Sequence, residues 1–190
     1  MLLDELLKNQ KLRLVGCCNE LNAGYAADGY ARANGVAACV ATYSVGGLSF
    51  VNAIAGAYAE DLSVVEISGG PNTNTEPSRQ YLHHTLGEIS YRYVVEVFQR
   101  VTACAVSIDD PARALQQIDR ALDICVSRRK PVYLEIACNL AAWPCSAPKP
   151  YVFGAQKVVT SRPALQEAVD RAAGMLNAAL KPVLGKIVSY

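Results

Sequence analysis

The sequence lacks an excess of charge of either sign. Its 190 residues carry 18 basic and 17 acidic side chains, which leaves a net charge of +1 at pH 7. Proteins that bind nucleic acid or anionic membranes by electrostatic attraction need a basic patch. The one basic cluster, residues 128–130, ends a predicted helix, where positive side chains complement the helix dipole. We therefore expect no nucleic acid and no membrane as a partner.

Long apolar runs and a signal sequence are also missing. No apolar segment is long and uninterrupted enough to cross a bilayer, and Asp4, Glu5 and Lys8 lie where a signal peptide would be apolar. The seven cysteines include no Cys-x-x-Cys pair and mostly lie in apolar runs, which argues against a zinc site or a disulfide framework. We expect a soluble, unprocessed protein in the reducing cytoplasm.

Predicted strands and helices alternate along the chain. Apolar and β-branched runs predict strands at 12–16, 36–41, 62–67, 101–108 and 132–137. Periodicity and capping residues predict helices at 2–9, 21–34, 46–60, 88–98 and from 111 onward, the last after the N-cap Asp110. Strands joined by helices form parallel sheets covered on both faces, so we predict a doubly wound α/β domain. Neither a Walker A sequence nor a Gly-x-Gly-x-x-Gly fingerprint occurs, so the function must be argued from the site.

A change in composition predicts a domain boundary. Residues 143–150 are rich in proline and small residues, which is typical of an extended linker. We assign residues 1–142 to the first domain, 143–162 to a linker and 163–190 to the start of a second α/β domain. In that second part Ser161 caps a predicted helix at 163–180, and 181–184 begin a strand. One helix and one strand cannot bury a core, so we expect the second domain to be incomplete.

Glu20 lies where the first predicted strand meets the following helix. In an open parallel sheet that corner is at the carboxyl edge, where ligands bind. Gly35 ends the helix, and Gly24 and Gly29 within it each cost about 1 kcal/mol relative to Ala, a cost tolerated where another backbone or a ligand comes close. From this pattern alone, Glu20 either stabilises the positive end of the helix dipole or serves a site.

The residues around Glu20 resemble a catalytic motif. Residues 19–32 read Asn-Glu-Leu-Asn-Ala-Gly-Tyr-Ala-Ala-Asp-Gly-Tyr-Ala-Arg, similar to the glutamate motif of the pyruvate and indolepyruvate decarboxylase family, whose enzymes depend on thiamine diphosphate. Segments 41–49, 52–60, 82–87, 129–136 and 139–140 resemble the same family, and the likeness covers roughly residues 2–150. The resemblance implies the pyrimidine-binding domain of a 2-oxo acid decarboxylase, with pyruvate as the favoured substrate.

The resemblance also implies roles for individual side chains. Glu20 would hydrogen-bond a ring nitrogen of the aminopyrimidine and share a proton with it, and Thr42 would help to wall the pyrimidine. His83 and His84 would line the substrate end and relay protons, with His84 binding the substrate. Taken without the resemblance, two adjacent histidines are more typical of ordinary, partly exposed side chains. A metal pair is less favoured, because no Cys, Asp or Glu stands at ligand spacing.

Two elements of the family have no counterpart in this sequence. One is an earlier strand that leads to a catalytic aspartate, and the other is the Gly-Asp-Gly motif of a separate domain that binds the diphosphate and Mg²⁺. We therefore expect a chain truncated at both ends, inactive alone, whose cofactors are thiamine diphosphate and Mg²⁺ and whose partner is the diphosphate-binding domain. The family also implies a homo-oligomer, either a dimer or a tetramer.

Two alternatives to pyruvate decarboxylation stay open from the sequence. The first is decarboxylation of indolepyruvate or another 2-oxo acid, because residues outside this chain largely set the size of the substrate. The second belongs to a different class, a non-catalytic interaction module that keeps the pairing surface of the domain and modulates full-length subunits.

Overall fold

Helices and strands alternate in the computed structural model, which describes residues 2–75, 77–145, 160–183 and 185. The strands are β1 (Val36–Ala41), β2 (Ser63–Gly70), β3 (Cys104–Ile108) and β4 (Val132–Ala137). The helices are α1 (Leu2–Lys8), α2 (Glu20–Asn34), α3 (Val45–Leu48), α4 (Val51–Ala59), α5 (Tyr93–Val101), α6 (Pro111–Arg128) and α7 (Arg162–Ala178). Contacts within the chain define a first unit, residues 1–154, and a second unit, residues 155–190.

The first unit is built on a parallel sheet with the strand order β1-β2-β4-β3. The register places Glu66 of β2 beside Tyr133 of β4. Two residues along each strand, Ser68 lies beside Glu135, and Glu135 in turn lies beside Ser107 of β3. Because residues two apart on a strand share a face, this register puts several polar side chains on one face of the sheet.

Helices cover both faces of the sheet, as a doubly wound fold requires. On one face, α2, α4 and α5 pack over a core that includes Phe50, Ile54 and Phe98. On the other face, Ala121 and Cys125 of α6 pack against a second core formed with β2 and β4. Right-handed crossovers between parallel strands produce this arrangement. The predicted α/β fold class is therefore confirmed.

The predicted first strand, residues 12–16, does not form. Leu12, Leu14 and Val15 are 56%, 48% and 66% exposed. Among the described residues no strand pairs with this segment, and a strand without a partner leaves its backbone groups to hydrogen-bond with water. The described residues of the first unit therefore contain four strands instead of the five predicted there.

Several predicted boundaries also shift. The helix predicted at 46–60 is divided into α3 and α4, because the Phe50 N–H donates to the Gly47 carbonyl at 2.9 Å, a three-residue turn that ends α3. The helix predicted from residue 88 begins only at Tyr93 and continues to Val101, so the following strand starts at Cys104.

The two glycines within α2 have different surroundings. A Cβ on Gly24 would lie 2.7 Å from the Ala53 Cβ and 2.9 Å from Phe50 Cδ1, so only glycine allows α4 to approach this closely. A Cβ on Gly29 would meet no described atom within 4 Å. A close approach is therefore seen at Gly24, from the side chains of Ala53 and Phe50, whereas the expectation for Gly29 stays a prediction.

The second unit contains helix α7, which follows Ser161 as predicted, although the Ser161 side chain makes no capping hydrogen bond. The helix buries none of its residues. Residues 181–183 form no strand, and Leu184, which completes that predicted strand, lies outside the described residues, as does most of the predicted linker. The proposed domain boundaries stay a prediction. No helix in the described residues is long and apolar enough to span a membrane.

Candidate functional site

Helix α2 places Glu20 at the carboxyl side of the sheet. Asn19 is its N-cap, with extended backbone, and the Asn19 Oδ1 accepts a hydrogen bond from the Asn22 N–H at 2.8 Å. This satisfies one of the free N–H groups at the start of the helix and fixes Glu20 in the first turn. Among the described residues no side chain donates a hydrogen bond to the partly buried Glu20 carboxylate, so it is open to an added donor.

Glu20 and Thr42 meet at Gly46. A Cβ on Gly46 would lie 2.6 Å from Thr42 Cγ2 and 3.5 Å from Glu20 Oε1. A contact of 2.6 Å is shorter than any side chain tolerates, so glycine is required there. The structure thus brings together two side chains that are 22 positions apart in the sequence, at the junction between the loop after β1 and the start of α3.

The loop after β1 has an unusual backbone conformation at its centre. Ser44 has a φ of 57° and is only 4% exposed. A non-glycine residue adopts this left-handed region only when its surroundings hold it there. A hydrogen bond to Tyr93, whose hydroxyl lies 2.5 Å from the Ser44 Oγ, stabilises this conformation.

Hydrogen bonds to backbone carbonyls join the same loop to the segment that contains the two histidines. The Tyr43 hydroxyl donates to the His83 carbonyl at 2.8 Å, and the Val45 N–H donates to the His84 carbonyl at 3.4 Å. The two imidazole rings are 4.1 Å apart between centroids, and the Tyr43 ring meets the His84 ring edge-on at 6.2 Å. Both histidine side chains are exposed, and His84 has a φ of 63°.

The four predicted site residues therefore form two groups that meet at one loop, the loop after β1. Glu20 and Thr42 converge at its helical end, and His83 and His84 are bonded to its middle. Among the described residues we find no direct contact between Glu20 and either histidine. The arrangement offers an open carboxylate on one side and two exposed imidazoles on the other, which are the groups that general acid–base chemistry uses.

A buried carboxylic acid lies behind this loop and was missed by the sequence analysis. Glu66 is fully buried in β2, and neither of its side-chain oxygens has a hydrogen-bond partner among the described residues. Burial raises the pKa of Glu66 well above its ordinary value. Its Oε1 would lie 3.5 Å from a Cβ on Gly47, one residue beyond Gly46. The available signal was an acidic residue inside a predicted, otherwise apolar strand.

A second missed group crosses the same face of the sheet. The Ser68 Oγ lies 2.6 Å from the Tyr133 hydroxyl, which lies 3.4 Å from Glu135 Oε2. The Ser107 Oγ donates to the other Glu135 oxygen at 3.1 Å. Burial raises the pKa of Glu135 to about 7, an effect that the hydrogen bonds from Ser107 and Tyr133 partly oppose. Glu135 was noticed in the sequence only as part of a matching segment.

The geometry fits the pyrimidine ring of a thiamine-type cofactor better than it fits the diphosphate. An open carboxylate beside a glycine that admits close approach suits a flat ring that carries N–H groups. A diphosphate needs a metal or a cradle of backbone N–H groups. The described residues contain no group of three or more His, Cys, Asp or Glu side chains that could hold a metal ion.

Comparison with known proteins identifies a family whose members are similar to the first half of this chain. Residues 1–92 match the family described as "Thiamine pyrophosphate enzyme, N-terminal TPP binding domain", and Glu20, Thr42, His83 and His84 all lie in this range. A probable pyruvate decarboxylase of Schizosaccharomyces pombe is 48% identical over 183 residues, which cover 96% of this chain and 32% of that protein.

Two plant proteins are similar to the same extent. Pyruvate decarboxylase 2 of Nicotiana tabacum and pyruvate decarboxylase 1 of Pisum sativum are each 48% identical over 185 residues, 96% of this chain, and these residues cover 30% and 31% of the two proteins. The chain thus spans about a third of the length of the relatives that it matches. The similarity also continues beyond residue 92, through β3, α6 and β4.

Proposed function

We propose that this chain, which belongs with the thiamine pyrophosphate enzymes through the N-terminal TPP-binding domain in residues 1–92, provides the pyrimidine-binding part of the active site of a 2-oxo acid decarboxylase. Pyruvate is the proposed substrate, because the similar proteins of fission yeast, tobacco and pea are named as pyruvate decarboxylases. These names favour pyruvate over indolepyruvate, and they favour an enzyme over a non-catalytic interaction module.

The observation that carries the proposal is the meeting of Glu20, Thr42 and Gly46. The Gly46 contacts leave no room for a side chain, so the surface formed by Thr42 and Gly46 has no projecting group at position 46. The Glu20 carboxylate next to it can share one proton with a ring nitrogen. It accepts a hydrogen bond when the nitrogen carries the proton and donates one when its own oxygen carries it. A carboxylate that only favoured the helix dipole would not need a close-packed wall beside it.

Each group of residues then has a task. Thiamine diphosphate, when bound, supplies the carbanion chemistry that releases carbon dioxide from a 2-oxo acid. Glu20 exchanges a proton with the aminopyrimidine, and Thr42 and Gly46 form the surface against which the ring lies. His83 and His84 move protons at the substrate end, since imidazole can both accept and donate a proton, and His84 also binds the substrate.

The anchoring of the diphosphate is assigned to another domain. We propose that Mg²⁺ and the diphosphate are held by a diphosphate-binding domain that pairs with this one in a homo-oligomer, a dimer or a tetramer. The chain alone should then bind thiamine diphosphate weakly and release no acetaldehyde from pyruvate, which calorimetric titration and a product assay can test. The seven unpaired thiols support the cytoplasm as the proposed location.

A chimaeric enzyme tests the proposal. The 185-residue segment of the pea enzyme that matches this chain is replaced by the corresponding segment of this chain, and pyruvate decarboxylation is measured with thiamine diphosphate. We expect cofactor-dependent release of acetaldehyde and carbon dioxide. A folded, assembled chimaera that binds the cofactor but leaves pyruvate unchanged would contradict the proposal. A preference for indolepyruvate over pyruvate would favour the alternative substrate.

A further inference from the structure

A second polar site lies on the first unit, at the Glu135 end of the polar group that crosses the sheet. A cavity of about 550 Å³ opens along the carboxyl halves of β3 and β4, between α5 and α6. Its lining includes Arg92, Ser107, Gln117 and Glu135, and none of Glu20, Thr42, His83 or His84. The size is sufficient for a small organic molecule.

Glu135 forms an acidic point in the wall of this cavity. The residue is only 6% exposed, and its two oxygens accept hydrogen bonds from the hydroxyls of Ser107 and Tyr133, at 3.1 and 3.4 Å. Both donors are neutral, and among the described residues no Lys, Arg or His forms an ion pair with it. A buried carboxylate without a counter-ion is stabilised by any cation that enters the cavity.

Gln117 supplies a second acceptor in the same lining. The Gln117 Oε1 is buried and has no hydrogen-bond partner among the described residues, while the Nε2 donates to the Ser107 carbonyl at 3.5 Å. Ser107 therefore contacts Gln117 through its backbone and Glu135 through its side chain. A buried acceptor without a donor is destabilising, so an N–H group placed here is favourable.

Arg92 supplies the opposite charge in the lining. Its side chain is exposed, and we find no side-chain hydrogen bond or ion pair for it among the described residues. Arg113, the other arginine of the lining, is already paired with Asp109 and Asp110, at 3.9 and 2.9 Å. The guanidinium of Arg92 is therefore the better placed of the two to bind a carboxylate.

We propose that this cavity binds a small aminocarboxylate, with its ammonium group at Glu135 and Gln117 and its carboxylate at Arg92. An ammonium group carries three N–H donors, so it can serve more than one acceptor of the lining. A metal ion fits less well, because the described residues contain no group of three or more metal-ligating His, Cys, Asp or Glu side chains. The site is independent of the proposed decarboxylase function.

Titration of the full chain with three probes tests this site. Glycine, β-alanine and 4-aminobutyrate differ in the spacing between ammonium and carboxylate, and binding is followed by the backbone amide NMR signals of Ser107, Gln117 and Glu135. We expect saturable shifts with at least one probe. Because the pKa of Glu135 is about 7, that binding should be roughly tenfold weaker at about pH 6 than at about pH 8.

Matched variants separate specific from general effects. Glu135→Gln and Arg92→Gln should each weaken binding at least about tenfold, which is the usual effect of losing one charged hydrogen bond. Arg100→Gln, on helix α5, which begins directly after Arg92, lies outside the cavity lining and should leave binding unchanged. Arg92→Gln alters an exposed residue, so it keeps the test valid if Glu135→Gln fails to fold.

Three results would overturn the proposal. The first is that none of the three probes shifts these amides. The second is that methylammonium or acetate alone binds as tightly as the best aminocarboxylate, which would exclude recognition at both ends. The third is that Arg92→Gln and Arg100→Gln bind the best probe equally well.

Discussion

The hydroxyl groups of Ser44 and Tyr93 lie 2.5 Å apart, and the Tyr93 oxygen also accepts a hydrogen bond from the Leu86 N–H at 3.2 Å. One side chain at the start of α5 thereby joins the loop that follows β1 to the segment that carries His83 and His84. The position of the His83 and His84 imidazoles relative to the Glu20 carboxylate therefore depends on Tyr93.

Replacing Tyr93 by Phe should loosen this junction. The variant keeps the ring but loses two hydrogen bonds, each worth about 0.5–1.5 kcal/mol, so unfolding should become easier by about 1–3 kcal/mol. Hydrogen exchange at the Leu86 amide should also become faster. Tyr81→Phe is the control, because Tyr81 is 70% exposed. Equal exchange at Leu86 in both variants would show that Tyr93 does not hold the segment.

Gly46→Ala should be destabilising, because the added methyl group would lie 2.6 Å from Thr42 Cγ2. Overpacking of this kind costs about 1–3 kcal/mol. Gly56→Ala is the matched control, since Gly56 lies within helix α4 and a Cβ there meets no described atom within 4 Å. That variant should gain about 0.5–1 kcal/mol from helix propensity. Urea unfolding measures both, and a Gly46→Ala variant as stable as Gly56→Ala would refute the close approach.

Glu66→Met should stabilise the protein at neutral pH. It removes a buried acid without partners, whose burial costs about 1–3 kcal/mol, and replaces it with an apolar chain of similar length. Since burial raises the pKa of Glu66, the wild type loses stability as pH rises above about 4.5, and the advantage of Met should grow with pH. Glu66→Gln, which keeps a buried polar group, should gain less. Destabilisation by Met would indicate an unrecognised hydrogen bond to Glu66.

Glu135 should give a defined pH dependence of stability. Its pKa is about 7 in the folded protein and 4.5 without burial, so the stability that it contributes is complete below pH 4.5 and is lost as pH rises through 7. A shift of this size corresponds to about 3 kcal/mol. Unfolding free energies between these pH values should therefore fall less steeply in Glu135→Gln than in the wild type. Glu88→Gln, at an exposed position, should follow the wild type, and identical slopes in all three proteins would contradict the raised pKa.

Local signals in the sequence predicted most of the fold correctly. Gly35, with a φ of 92°, ends α2, and Asp110 caps α6 by accepting from the Ala112 N–H at 2.9 Å. Strands β1 and β4 have the predicted bounds. Such features depend on a few neighbouring residues, so they can be recognised without knowledge of the tertiary structure.

The errors concern features that depend on distant residues. The segment 12–16 has the apolar pattern of a strand, but whether a strand forms depends on a neighbour to pair with, which the local pattern does not reveal. The contact that requires glycine at Gly46, and the hydrogen bonds of Tyr93, likewise join parts of the chain that only the fold brings together. The roles of Glu20, Thr42, His83 and His84 came from the resemblance and remain predictions.

We propose that the Glu20 carboxylate takes part in proton transfer, and a single substitution tests this role. In the chimaeric pea enzyme, Glu20→Gln is compared with Glu88→Gln by measuring the rate of pyruvate decarboxylation, with the unfolding midpoint as the check on folding. We predict that Glu20→Gln folds normally but turns over roughly 10²–10⁴-fold more slowly, the usual contribution of general acid–base catalysis, while Glu88→Gln is unaffected. A Glu20→Gln chimaera with near-normal turnover would contradict the account and leave Glu20 as a residue that only stabilises its helix.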